Sequence, residues 1–152
     1  MLFRSQERQR NVFDDLAARG FTQIVLIGSN TPDVPAEYLA DAFDRLRGDD
    51  PPIVLGPSDD GGCYLIGAGV GRSGVPDLFS SVRWGTPYTL DDLTHAAVTI
   101  GFQVHLLETW NAVVAPGDLT VLADRLRYAP DAAPNTAAVL KKLGLMPARA
   151  SS

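Results

Sequence analysis

Two adjacent carboxylates and two adjacent glycines, Asp59-Asp60-Gly61-Gly62, are the residues of this chain best suited to chemistry. They lie in Gly56-Pro57-Ser58-Asp59-Asp60-Gly61-Gly62-Cys63-Tyr64-Leu65-Ile66-Gly67, between the apolar runs Ile53-Val54-Leu55 and Tyr64-Leu65-Ile66. Carboxylates so placed can bind a divalent cation or accept hydrogen bonds from sugar hydroxyls. The glycines remove bulk and permit positive φ, so another molecule can approach the backbone closely. The same four residues suit a plain turn, and spacing alone leaves the two readings level. Side chains that are neighbours on extended backbone point apart. One carboxylate therefore faces the site, and the other faces solvent or caps the turn.

A second candidate loop is Gly28-Ser29-Asn30-Thr31-Pro32-Asp33. It follows an apolar run and precedes a helical pattern, so a helix N-terminus favours an anion there. It has neither the Gly-Lys-Ser/Thr of a P-loop nor G-x-G-x-x-G. Asp33 is either a metal ligand or the N-cap of the helix begun at Pro35, and capping is the better reading. Trp84 and Trp110 fall at loop positions, where an indole stacks on a sugar or base or covers the core edge. His95 and His105 have no Ser or Cys arrangement around them that reads as a triad, so both are taken as structural. Cys63 is the only cysteine. No internal disulfide or Cys-based zinc site follows, and an inert core thiol is the reading.

The elements that must position these residues follow from periodicity. Helices are predicted over 6–19, from 35 to about 47, 76–82, from an N-cap at Thr89 to near 101, 118–128 and 135–143. Strands are predicted over 22–27, 53–55, 63–67 and 102–107. The alternation predicts a three-layer α/β/α domain with a mostly parallel sheet. One domain spans residues 1–145, and 146–152 reads as a frayed tail. In such sheets ligands bind beyond the C-terminal strand ends. The segments 28–33, 56–62 and 110–118 all leave strands there, which is the reason to place one site among them.

The 152 residues suit one domain with a real core, at 45% hydrophobic and 20% charged. A net charge of -5 argues against a nucleic-acid backbone or an anionic membrane as main partner. It leaves a nucleotide ligand open, because backbone N–H groups, a metal or one Arg can hold phosphates locally. No apolar run reaches transmembrane length, and Met1–Arg10 carries no apolar signal region. A cytoplasmic location is the expectation.

Three segments in order carry a family resemblance: Val25-Leu26-Ile27-Gly28-Ser29-Asn30-Thr31-Pro32-Asp33, then Leu55 through Gly67, then Leu78-Phe79 with Trp84-Gly85-Thr86-Pro87. Together they resemble a bacterial family of nucleotide-diphospho-sugar transferases with the GT-A fold. That family was long known as a domain of unknown function and is often described as an arsenosugar-biosynthesis-type glycosyltransferase. It is also similar to the molybdenum-cofactor and phospholactate nucleotidyltransferases. The match runs from about Gln6 to Leu126. The resemblance implies transfer of a sugar or nucleotidyl group from an activated nucleotide donor to a small-molecule acceptor. A divalent Mg or Mn ion would neutralise the leaving diphosphate. It implies Asp60 as the catalytic candidate and inward carboxylate. Asn30, Asp33, Asp59, Gly61, Gly62, Tyr64, Trp84 and Thr86 are the substrate-binding candidates, with Trp84 and Thr86 closing the acceptor pocket.

The chain departs from the family in three places. Asn30 stands where members usually carry the Asp of the metal–diphosphate site. Ala112-Val113-Val114-Ala115-Pro116 stands where members carry an Asp-Val-Asp-Thr-Pro-like stretch. The family's opening strand and glycine- and arginine-containing nucleotide loop have no counterpart. No residue is therefore assigned as a metal ligand. The functional readings are a working transferase, either an incomplete copy of a longer protein or one completed by a partner chain, and a non-catalytic GT-A domain that binds a ligand or a protein or only scaffolds an oligomer. A third, weaker reading is an unrelated α/β binding module. A sheet lacking its first strands exposes an edge, so self-association is predicted.

Overall fold

The computed structural model describes residues 2–71 and 74–146, with side chains from residue 6. Its elements are α1 (Leu2–Ala18), β1 (Gln23–Ile27), α2 (Ala36–Arg45), β2 (Ile53–Pro57), β3 (Cys63–Gly69), α3 (Thr89–Thr99), β4 (Val104–Leu106), α4 (Pro116–Tyr128), a 3-10 turn (Pro130–Ala132) and α5 (Pro134–Lys142). The four strands form one sheet in the order β1-β3-β2-β4.

The sheet corrects the expected strand directions. β3 pairs antiparallel with both β1 and β2, and only β2 and β4 pair in parallel. Three strands still point the same way, but β3 folds back as a hairpin and inserts between two of them. β2 and β3 are buried along nearly their whole length. Helices cover the sheet on both faces. Phe13 of α1 and Leu93 and Ala97 of α3 pack on Ile24, Ile53, Leu55, Ile66 and Ala68. Ala42 and Leu46 of the α2 segment pack on Val54 and Leu65 on the opposite face. The alternation of Ile53, Val54 and Leu55 between those clusters is the two-residue strand period made visible.

A bulge breaks this alternation where it matters. Leu55 pairs with Ile66 and Gly56 with Leu65, but Pro57 pairs with Cys63, so Tyr64 is left without a partner. The extra residue turns Tyr64 onto the α2 face beside Leu65. Its ring lies against Gly56, where an added Cβ would come within 2.5 Å of Cζ. Its hydroxyl donates to the Glu108 carbonyl at 2.9 Å. Burial raises the Tyr64 pKa well above its ordinary value.

Three further expectations need correction. Residues 76–82 form no helix and turn only over 79–81; the Asp77 carboxylate instead accepts from Ser80 Oγ at 3.1 Å and Phe79 N at 3.4 Å. Thr89 is the first residue of α3 and not its N-cap, which is Tyr88. Its hydroxyl lies at 2.9 Å from the Arg83 carbonyl and 3.0 Å from that of Thr86. From residue 147 the expected tail lies outside the described residues. Met146 is 2% exposed and belongs to a separate small core with Leu122, Ala123 and Leu126 of α4 and Ala137 and Leu140 of α5.

Candidate functional site

Three loops leave the sheet at the C-terminal ends of β1, β2 and β4, and backbone bonds tie them together. After β1, Gly28 N donates to the Tyr64 carbonyl at 2.9 Å, and Thr31 Oγ1 donates back to Gly28 O at 3.1 Å. After β4, Trp110 N donates to Pro57 O at 3.0 Å, extending the parallel pairing beyond the strand. Val113 N donates to Asn30 O at 2.8 Å. The positions 30 and 112–114, where this sequence lacks carboxylates, are thus neighbours in space.

A polar chain of side chains crosses these loops. Arg125 of α4 donates to Asp33 through Nε at 2.6 Å and Nη2 at 3.1 Å. Trp110 Nε1 donates to the same carboxylate at 3.3 Å. The guanidinium lies 5.0 Å over the Trp110 ring, and Tyr38 meets that ring edge-on at 5.7 Å. Arg125 Nη1 reaches Asn111 Oδ1 at 3.4 Å, and Asn111 Nδ2 donates to Asp59 Oδ2 at 2.8 Å. The side chain of Asp33 is 3% exposed and that of Arg125 26%. A charge so buried persists because it is paired bidentately. Asp33 therefore serves the ion pair and not the α2 cap: the N-cap residue is Pro35, with no side-chain bond.

The carboxylates of the Asp59-Asp60 pair divide opposite to expectation. Both are exposed, but Asp59 accepts from Asn111 Nδ2 at 2.8 Å, while Asp60 accepts from Gly62 N at 2.9 Å within its own turn. Asp60 caps the turn. The glycines that follow face a second neighbour. Gly61 has φ 83°, and a Cβ there would collide with the Pro87 carbonyl. Its own carbonyl accepts from Leu90 N at 3.1 Å, at the start of α3. Thr86 stays local, with Oγ1 donating to Arg83 O at 2.7 Å and accepting from Tyr88 N at 3.2 Å. Trp84 is 7% exposed, stacks at 6.2 Å on Phe79, and keeps its indole N–H without a partner among the described residues.

The structure thus gathers Asn30, Asp33 and Asp59 with Trp110 and Arg125. It sets Gly61, Gly62 and Thr86 on the adjoining turn, with Tyr64 and Trp84 beneath in the core. Arg125 and Asn111 were not singled out from the sequence. One signal was available: Arg125 sits beside Leu122, Ala123 and Leu126, the buried stripe of α4, where an arginine needs a partner. Around Asp33, Trp110, Arg125 and Tyr128 opens a cavity of about 630 Å³, large enough for a small molecule.

The donor set does not fit a hard divalent cation, which needs about six oxygens. Asp33 is committed to Arg125 and Trp110, Asp59 to Asn111, and Asp60 to its own turn. Among the described residues no three His, Cys, Asp or Glu side chains gather to hold a metal. Cys63 offers no nucleophile: burial pushes its thiol up to about 12, and Sγ donates to Leu65 O at 2.9 Å.

The sequence profile of a bacterial family, DUF2064, described as "Uncharacterized protein conserved in bacteria", matches residues 6–86. The chain belongs to the DUF2064 family. The matched segment of this DUF2064 member holds most of α1, with β1, α2 and the β2–β3 hairpin, and ends at Thr86. It therefore includes Asp33 and Asp59 but neither Trp110 nor Arg125. A crystal structure from Desulfovibrio desulfuricans G20, named "putative nucleotide-diphospho-sugar transferase", is similar over 93% of this chain at 31% identity and a TM-score of 0.73. The chain spans 58% of that protein's length. The likeness establishes a nucleotide-diphospho-sugar-transferase type of α/β fold. No protein of curated function matches the chain. No helix among the described residues is long and apolar enough to cross a membrane.

Proposed function

We propose that this DUF2064 member is a ligand-binding domain of the nucleotide-diphospho-sugar transferase superfamily that does not by itself carry out metal-assisted transfer. One observation carries this reading: the Asp33 carboxylate at the end of β1 is spent on Arg125 and Trp110. A carboxylate held bidentately by arginine has little capacity left for a cation. What remains beside it is a largely apolar cavity with an indole wall, which suits binding. Superfamily membership rests on the name and likeness of the Desulfovibrio protein. Calorimetric titration with UDP- and GDP-linked sugars, with and without Mn²⁺ or Mg²⁺, tests the reading. The expected result is no metal-dependent binding and no turnover; metal-dependent turnover by the chain alone would overturn it.

A second reading is a transferase that becomes competent in a larger assembly. The unmatched remainder of the Desulfovibrio protein favours it. So does β1, which among the described residues has β3 on one side and no strand on the other, with Ile27 43% exposed at its end. An open strand edge pairs readily with another chain. Sedimentation at micromolar concentration should then show a homo-oligomer, and a monodisperse monomer would count against assembly.

A further inference from the structure

The cavity beside the Asp33–Arg125 pair is formed from two parts of the fold that otherwise touch little. One wall is the loop before α2 and the first turn of that helix, with Val34, Pro35 and Glu37. The other is the end of α4 and the 3-10 turn, with Leu126, Tyr128 and Asp131. Trp110 and Arg125 also line it. Its charges do not cancel. Arg125 is neutralised by Asp33 at 2.6 Å. Glu37 and Asp131 remain, and neither has an ion-pair partner among the described residues. The N-terminus of α2 also borders the cavity and contributes a partial charge of roughly +0.5. Two full carboxylates outweigh it. Tyr128, 83% exposed, adds an aromatic face at the mouth, and aromatic faces attract cations.

We propose that this cavity binds a small organic cation with an apolar body, such as an aryl or alkyl amine or a quaternary ammonium compound. The apolar part lies against Val34, Pro35, Leu126 and the indole of Trp110. The cationic head sits at the mouth between Glu37, Asp131 and the Tyr128 ring. The net negative charge of the whole chain, -5, likewise draws cations toward it. The proposal rests on the ligand-binding reading above and adds the charge class of the ligand.

Three probes of similar shape test it: benzyltrimethylammonium, benzyl alcohol and phenylacetate, titrated into the ¹⁵N-labelled full chain. The protein has two tryptophans, so the indole N–H of Trp110 is identified by its loss in Trp110→Phe. The ammonium probe should shift that resonance and bind more tightly than the other two. Glu37→Gln and Asp131→Asn, both at exposed positions, should each weaken it about two- to threefold, and added salt should weaken it further. If phenylacetate or benzyl alcohol binds at Trp110 as tightly as the cation, the charge assignment falls and the pocket stands. If no probe moves the Trp110 resonance, the cation proposal falls. If nucleotide sugars also leave that resonance unmoved, the pocket reading falls with it.

Discussion

The Asp33–Arg125 pair lets the energetics be worked through. Replacing Arg125 by Met keeps an apolar stem beside Trp110 but removes the guanidinium. Asp33, 3% exposed on its side chain, would then keep one donor, Trp110 Nε1 at 3.3 Å. Breaking a fully buried pair from one side costs about 3–5 kcal/mol. Arg125 is 26% exposed, so water would partly replace it, and about 2 kcal/mol is the working figure. For a chain of this size that lowers Tm by about 4–8 °C. Asp33→Asn should cost a similar amount, because the guanidinium loses its counter-charge. The double variant should be less destabilised than the two losses added, with a coupling of about 1–2 kcal/mol. Urea unfolding of the four proteins at neutral pH measures this. If Arg125→Met lies within about 0.5 kcal/mol of the parent, or the losses simply add, the pair does not hold α4 to the strand ends and the reasoning fails.

Other outcomes follow from particular contacts. Gly61→Ala combines positive φ with a collision on the Pro87 carbonyl and should cost about 2–4 kcal/mol in urea unfolding. Gly62→Ala meets only the movable Asp60 carboxylate and should cost under about 1 kcal/mol. Equal losses would refute the docking of this turn on α3. Tyr64→Phe removes the bond to Glu108 O and should cost about 1 kcal/mol by the same measurement. The hydrogen bond and charge of Arg83 hold the Asp92 carboxyl down at about 2. A depressed carboxyl stabilises the fold above its unfolded pKa near 4 and loses that contribution as pH falls through about 2. Asp92→Asn should therefore flatten the fall of Tm between about pH 4 and pH 2, and an unchanged slope would contradict the contact.

Much of the fold was legible because short apolar runs separated by turn residues mark strands whatever their direction. Direction itself was not. Cys63 through Gly69 is buried on both faces, so it reads like a parallel strand although it runs antiparallel. The three loops at the C-terminal ends of β1, β2 and β4 could be placed from the strand pattern alone. The partners within them could not, since Arg125 lies 92 residues from Asp33 and no local pattern joins the two. Trp84 and Trp110 looked alike in sequence, each next to turn residues. Only packing separates them, because Phe79 buries one while Arg125 and Tyr38 frame the other. The Asp-Asp-Gly-Gly turn looked like a ligand loop partly because docking on α3 demands the same glycine freedom that a ligand would.

The inserted strand β3 has a kinetic meaning. β2 and β3 are joined by only the residues 58–62, so their pairing closes a short loop at small entropic cost. Once formed, that hairpin offers one free edge to β1 and the other to β4. Each outer strand then docks on a template already built, and β1 and β4 need never find each other. Such an order of events makes the central hairpin the natural folding nucleus. Substitutions at Val54 or Leu65 should slow refolding, whereas those in the separate α4–α5 core should mainly hasten unfolding.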